Sequence, residues 1–291
     1  MNNDPAEHII VPPEDDGQRL DRWLKKHMPF VLAQKLIRKG AIRVDGKKAK
    51  QDTRIQSGQS VRIPPFDKPQ DNTPKPKPLT DKDRAYIRDL VIFDDGDIVV
   101  IDKPEGLASQ GGGDLKQHVD RLLDGLADKN GLSPKLIHRL DMDTSGVMIT
   151  ARKPDTIRKL GQMFKTKKVR KTYWALTLSC PEDSDGLIRA PIGKIKGPIK
   201  DKMQIDEDDG KHAVTEFVVL EQAHKQAAFI AFSPHTGRTH QIRLHSSAVL
   251  ECPIIGDKKY GGESDLVETM GLADRLHLHA YRLTLPHPTK H

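Results

Sequence analysis

His138-Arg139-Leu140-Asp141-Met142-Asp143-Thr144-Ser145-Gly146 runs directly into the apolar Val147-Met148-Ile149. A polar stretch that enters a short apolar run bounded by turn residues reads as a loop leading into a buried strand. Loops held by a rigid scaffold are where reacting groups concentrate. This one offers two carboxylates, an arginine, a histidine and two hydroxyls.

Three readings compete for it. Asp141 or Asp143 can cap a turn, the rest being solvated loop. A metal site is the second reading, because Asp141, Asp143, Ser145 and Gly146 copy the start of a calcium-binding loop. That loop needs a bidentate glutamate at its twelfth position, and Arg152 stands there. The Asp-x-Asp spacing also suggests a magnesium-dependent phosphatase, but such a pair follows an apolar strand and Ile137-His138-Arg139-Leu140 is a poor one. The third reading is a reactive carboxylate, Asp141, working beside an arginine; a carboxylate can divide one hard step into two.

Working outward, Val91-Ile92-Phe93 and Ile98-Val99-Val100-Ile101 flank Asp94-Asp95-Gly96-Asp97 as a hairpin, followed by Lys103-Pro104-Glu105-Gly106. The glycine-rich 110–113 lacks the Gly-Lys-Ser/Thr ending of a nucleotide-triphosphatase loop. Residues 154–164 read as a helix with proline near its start. A basic cluster, Lys165, Lys167, Lys168, Arg170 and Lys171, leads into the alternating Thr172-Tyr173-Trp174-Ala175-Leu176. Strands are expected over 213–220 and 227–232, with an acidic, solvated turn at 206–210 between the two flanking motifs. Then comes Thr236-Gly237-Arg238-Thr239-His240-Gln241-Ile242-Arg243-Leu244-His245. Its histidines, five apart with no glutamate between, are a poor zinc spacing. Leu276-His277-Leu278-His279-Ala280 alternates as a strand.

Taken together and in this order, His-Arg-Leu-Asp-x-x-Thr-Ser-Gly, Lys-x-Tyr-x-Ala and Thr-Gly-Arg-x-His-Gln-x-Arg-x-His resemble the motifs of the RluA-type pseudouridine synthases. The resemblance spans about residues 90–288 and is most similar to the enzymes of large-subunit ribosomal RNA. It implies an α+β fold, a long, bent, mostly antiparallel sheet flanked by helices, and isomerisation of uridine to pseudouridine in RNA. It also implies roles: Asp141 as the essential carboxylate on a flipped-out nucleotide, Arg243 paired with it, Tyr173 against the base and helping to remove the carbon 5 proton. Arg139 would fill the gap left in the RNA or hold its backbone; His138, Thr144 and Ser145 would shape the loop. No cofactor and no metal are implied. The chain ends at His291, where members of that family continue, so an incomplete C-terminal sheet edge is expected.

Charge separates the N-terminal part. Residues 17–63 hold thirteen lysines and arginines against three aspartates, a net +10 in a chain of net +7, leaving the remainder at −3. That is the electrostatic footprint of a nucleic-acid-binding appendage. Leu20, Trp23 and Leu24, then Leu32, Leu36 and Ile37, predict two short helices, the second closed by Gly40. Ile42, Val44, Val61 and Ile63 predict strands around an Asp45-Gly46 turn. Arg-Leu-Asp-x-Trp-Leu, a basic helix and Val-Asp-Gly-Lys resemble the small RNA-binding domain called the alpha-L motif. Arg22, Arg38, Lys39, Arg43, Lys47 and Lys48 are the expected RNA contacts. The expected organisation is a flexible tail at 1–16, this α/β domain at 17–64, a Pro/Lys-rich extended linker at 65–84 and a catalytic domain at 85–291.

No apolar run is long enough to span a bilayer, the first thirteen residues lack a signal-peptide pattern, and two cysteines build no disulfide framework. A cytoplasmic monomer acting on RNA, with no membrane partner, is expected. Two other classes stay open: an RNA-binding protein without catalysis, and a magnesium-dependent phosphatase.

Overall fold

In the N-terminal segment the apolar positions of two short helices close over one small sheet. The helices are α1 (Leu20–Trp23) and α2 (Phe30–Arg38); the strands are β1 (Glu7–Ile10), β2 (Arg43–Val44), β3 (Lys47–Lys48) and β4 (Ser60–Ile63), in the order β1-β4-β2-β3. Leu20, Trp23, Ala33, Ile37, Ile42, Val61 and Ile63 form the buried core. Trp23 Nε1 donates to buried Asp15 Oδ2 at 3.0 Å, and Lys26 supplies the countercharge to that carboxylate at 2.5 Å. The computed structural model describes residues 6–66, 78–112, 115, 117–195, 202–261 and 271–290, which fall in two units, Met1–Lys77 and Pro78–His291. The expected flexible tail at 1–16 is corrected over its described part. β1 pairs antiparallel with β4, and Val11 enters the core, because Ile9 and Val11 face inward while His8 and Ile10 face solvent, the two-residue period of an edge strand.

The second unit starts earlier than expected. α3 (Asp81–Asp89) begins inside the expected linker, since Thr80 and Asp83 form a reciprocal capping box, with Asp83 N–H donating to Thr80 Oγ1 at 3.1 Å and Thr80 N–H to Asp83 Oδ2 at 3.0 Å. The extended conformation expected for the linker concerns residues 67–77, which lie outside the described residues. After α3 come β5 (Val91–Asp94), β6 (Ile98–Lys103), α4 (Val119–Leu122), β7 (Lys135–Leu136) and β8 (Ser145–Ala151). They are followed by α5 (Pro154–Lys165), β9 (Arg170–Leu178), β10 (Asp185–Arg189), β11 (Ile192–Lys194), β12 (Met203–Ile205), β13 (Val214–Ala223), β14 (Ala227–Pro234), α6 (Gln241–Ala248) and β15 (Leu278–Thr284). β11 and β12 form a separate ribbon. The main sheet has nine strands among the described residues, in the order β10-β13-β14-β9-β15-β8-β6-β5, with β7 paired to β8. Of the described strands only the β15–β8 pair is parallel. Among the described residues no helix is long and apolar enough to cross a membrane.

Among the described residues β15 is the last strand and lies in the middle of the sheet, not at an edge. The residues after β15 are tied to the β5–β6 turn. His287 Nε2 and Lys290 Nζ meet Asp95 Oδ2 at 3.0 and 2.6 Å, and Thr289 donates to Asp97 Oδ2 at 2.6 Å.

β15 joins two half-sheets, each with its own core. Val99, Ile101, Met148 and Leu122 pack on one side; Ala175, Phe217, Ile230 and Phe232 pack on the other. The joint demands a glycine. Gly146, at φ +111°, faces Ala280, and a Cβ there would lie 2.3 Å from the Ala280 carbonyl oxygen and 2.7 Å from its nitrogen. Backbone cannot yield as a flexible side chain can, so Gly146→Ala should cost about 3 kcal/mol or more. Urea denaturation of the full chain checks this; a shift under about 1 kcal/mol would show that β15 can move aside.

Candidate active site

The loop that carries Asp141 is fixed through its backbone. Ser109 Oγ donates to the Leu140 carbonyl at 2.6 Å and accepts from its N–H at 3.0 Å. Lys103, with no exposed surface, points Nζ at the carbonyls of Pro104, Leu107 and Met142, at 2.8, 2.8 and 3.0 Å. Thr144 N–H closes the turn on the Asp141 carbonyl at 3.2 Å. His138 stacks on Phe164, and its Nε2 accepts from Ile149 N–H at 3.1 Å. Burial and the Lys171 charge push its pKa down to about 4, so the ring is neutral near pH 7. Ser145 Oγ meets His279 Nδ1 of β15 at 3.0 Å.

What this frame presents is the Asp141 side chain. It is half-buried, lines a cleft of about 1220 Å³, and accepts no hydrogen bond from the described residues. The cleft brings Asp141, Tyr173, Arg243 and Arg139 together. It is lined by eight lysines and arginines against two carboxylates, Asp141 and Glu216. Part of that cationic wall is the 165–171 run, which sequence left as a charge cluster of no stated role.

Tyr173, on β9, packs against both half-cores. Burial, then the Asp141 charge, raise its phenol above the ordinary value. A phenol held protonated can offer its ring face and a hydrogen bond; the phenolate needed to remove a carbon 5 proton is disfavoured. Arg139 is exposed and donates to Gln110 Oε1 at 3.3 Å.

Arg243 is 3% exposed and its direct partner is not Asp141. It makes a two-pronged bond to the buried Asp257, Nε to Oδ2 at 2.7 Å and Nη2 to Oδ1 at 2.6 Å, and reaches Asp143 at 3.6 Å. No ion pair with Asp141 forms within 4 Å, which corrects the expected pairing. The cause lies in the chain path: Gly256, at φ +75°, turns so close to the Arg275 carbonyl that a Cβ would overlap it, and this delivers Asp257 beneath α6. Burial would lower the Arg243 pKa, but the Asp257 bonds and charge, then Asp141 and Asp143, more than offset it and hold it above its ordinary value. Asp141 thus feels the Arg243 charge at a distance.

Sequence reasoning missed Asp257, Lys103 and Tyr260 as parts of this site. Tyr260 Oη lies 2.8 Å from His240 Nδ1 and accepts from Met203 N–H at 2.9 Å, steadying the residue that opens α6. A signal for Lys103 was its place ahead of Pro104-Glu105-Gly106; for Asp257, its place after Gly256. The six basic residues expected to contact RNA, Arg22, Arg38, Lys39, Arg43, Lys47 and Lys48, are all exposed on the N-terminal unit.

Comparison with known proteins gives two family matches. The family described as RNA pseudouridylate synthase matches residues 97–248, and the S4 domain matches residues 18–61. A protein of Rickettsia conorii (strain ATCC VR-613 / Malish 7) named ribosomal large subunit pseudouridine synthase C is 36% identical, over 92% of this chain and 89% of that one. Its namesake in Vibrio vulnificus (strain CMCP6) is 34% identical, over 99% and 91%. Among solved structures, human RNA pseudouridylate synthase domain containing 4 is similar at TM-score 0.59 and 32% identity, over 70% of this chain and 88% of that one.

The Arg243–Asp257 pair makes a test. Removing one partner of a buried pair strands the other charge, so Asp257→Ala should cost about 3–5 kcal/mol. The apolar double substitution Arg243→Met/Asp257→Leu should cost less than Asp257→Ala alone. Chemical denaturation of the unaltered chain, Asp257→Ala and the double variant checks it; a double variant as unstable as Asp257→Ala, or more so, would refute the expectation.

Proposed function

The chain belongs to the RNA pseudouridylate synthase family, and from that premise we propose that it isomerises selected uridines of large-subunit ribosomal RNA, with Asp141 acting on the ribose of a flipped-out nucleotide. The observation that carries the assignment is a carboxylate without a hydrogen-bond partner among the described residues, held on a pinned loop in a cationic cleft.

The reaction breaks the bond from N1 to carbon 1′, turns the base, and joins carbon 5 to carbon 1′. Carbon 5 releases a proton and N1 gains one, so the conversion balances without an oxidant or a transferred group. A uridine inside a duplex has first to leave the stack, at a cost of about a few kcal/mol. Two routes serve Asp141, attack at carbon 1′ or withdrawal of a ribose proton, and both require an ionised carboxylate with free lone pairs. Tyr173 would lie against the turned base. Arg139, exposed beside Asp141, would fill the gap in the RNA. The cationic wall would hold flanking phosphates, and the exposed basic residues of the S4 domain would add phosphate contacts of their own.

Asp143 provides an internal control. It is half-exposed and reaches Arg243 only at 3.6 Å. Asp141→Asn should reduce single-turnover tritium release from carbon 5-labelled RNA to background while RNA binding persists; Asp143→Asn should retain substantial activity. Activity surviving in the Asp141 variant, or lost only in the Asp143 variant, would overturn the assignment.

Lys103 predicts a pH dependence. Burial lowers its pKa to about 8, against the opposing charges of Asp143, Asp141 and Glu105. Below that value the ammonium has three protons for three carbonyls; above it the amine has two, and one loop contact fails. The chemical step should therefore slow as pH rises through about 8. Lys103→Met, slower throughout, should lack that step. The check is a single-turnover rate profile; an alkaline limb unchanged by the substitution would assign it elsewhere.

A further inference from the structure

Helix α2 of the S4 domain buries Ala33 and Ile37 and turns its other side to solvent. That outer side begins with two apolar residues, Phe30 at 40% and Val31 at 77% exposure. Val31, Lys35 and Arg38, spaced i, i+4, i+7, share one stripe. Lys25 Nζ lies 4.6 Å over the centre of the Phe30 ring. The exposed part of α2 carries no carboxylate, and the surrounding segment has the +10 charge noted above.

An exposed aromatic and a valine at the start of a cationic helix are not needed for phosphate contact, to which they contribute nothing. Nor do they serve the core, which they do not enter. A partner complementary to both parts needs a flat apolar face flanked by negative charge. An unstacked nucleobase with its phosphates has that chemistry, and base–aromatic stacking tolerates any base. We propose that Phe30, with Val31 beside it and Lys25 over the ring, forms a stacking site for one unpaired base of the RNA, while Lys35 and Arg38 hold the adjoining phosphates. The proposal rests on the reading of this domain as an RNA-binding one and adds to it a preference for loops or bulges over uninterrupted duplex.

Salt dependence separates stacking from ionic contact, because only neutralised phosphates contribute to the slope of log affinity against log salt. Three forms of the full chain are compared: unaltered, Phe30→Ala/Val31→Ser, and Lys35→Gln/Arg38→Gln. Each is titrated with two RNAs of equal phosphate number, a stem with an unpaired loop and a continuous duplex. The apolar variant should bind the looped RNA about fivefold or more weakly, with an unchanged salt slope, and the duplex within about twofold of the unaltered chain. The charge variant should weaken both RNAs and flatten the slope. The altered residues are exposed, and unchanged thermal unfolding confirms that the fold survives. If the apolar variant binds both RNAs like the unaltered chain, the stacking site is wrong, and a protein partner for Phe30 becomes the better reading. If it weakens both equally, the preference for an unpaired base is wrong. A charge variant with an unchanged slope would instead count against the RNA-binding reading of the helix itself.

Discussion

Two half-sheets meet at one place, where Gly146 of β8 lies against the backbone of Ala280 in β15. Everything in the cleft depends on that approach. Asp141 belongs to the β8 side, whereas Tyr173 and Arg243 belong to β9 and α6 on the other. β15 pairs with both β9 and β8, so its register sets their separation. Ser145 and His279, bonded across the same joint, fix where the loop leaves the sheet. A displacement of about 1 Å there would be felt at the reacting atoms.

Much of this was legible in sequence because it is local. The β5–β6 hairpin, the α5 helix and the alternating β9 strand follow from period and turn chemistry within short windows. The loop–strand reading of 138–149 holds, since glycine, carboxylates and an apolar run announce their own conformations. The central position of β15 was not legible. Its parallel partner lies more than a hundred residues away, and no local pattern encodes that register. A short edge strand, β1, hid among prolines and acids because it shows only two inward-facing apolar residues.

The partner of Arg243 was the most instructive failure. Residue types allowed Asp141, Asp143 or Asp257, and helical position alone could not choose among them. The choice is made by a left-handed turn at Gly256 that places Asp257 in bidentate geometry. Lys103 was passed over for a related reason. Lysine is almost never fully buried, so a sequence reader assigns it to the surface. Here three carbonyls replace its water, one of them from the loop it supports.

These two corrections bear on how the proposed carboxylate would work. Breaking a glycosidic bond develops positive charge on the ribose, and a carboxylate stabilises it only as far as that charge is not already met elsewhere. At an effective dielectric constant near 20, unit charges about 4 Å apart interact by about 4 kcal/mol. A direct Arg243–Asp141 bridge would hold the carboxylate against its cation and oppose its turn toward the sugar. Asp257 prevents this by taking both prongs of the guanidinium. Two other groups that feel the Asp141 charge are uncharged: burial keeps the Tyr173 phenol protonated and lowers the His240 imidazole, the Asp141 charge reinforcing the first and only partly opposing the second. Two buried cations are committed, Lys103 to carbonyls and Arg243 to Asp257, so they bias the cleft without closing on the carboxylate. On the proposed reading, a site arranged this way would attract the phosphates of its substrate through the cationic rim and still keep one negative charge free for the ribose.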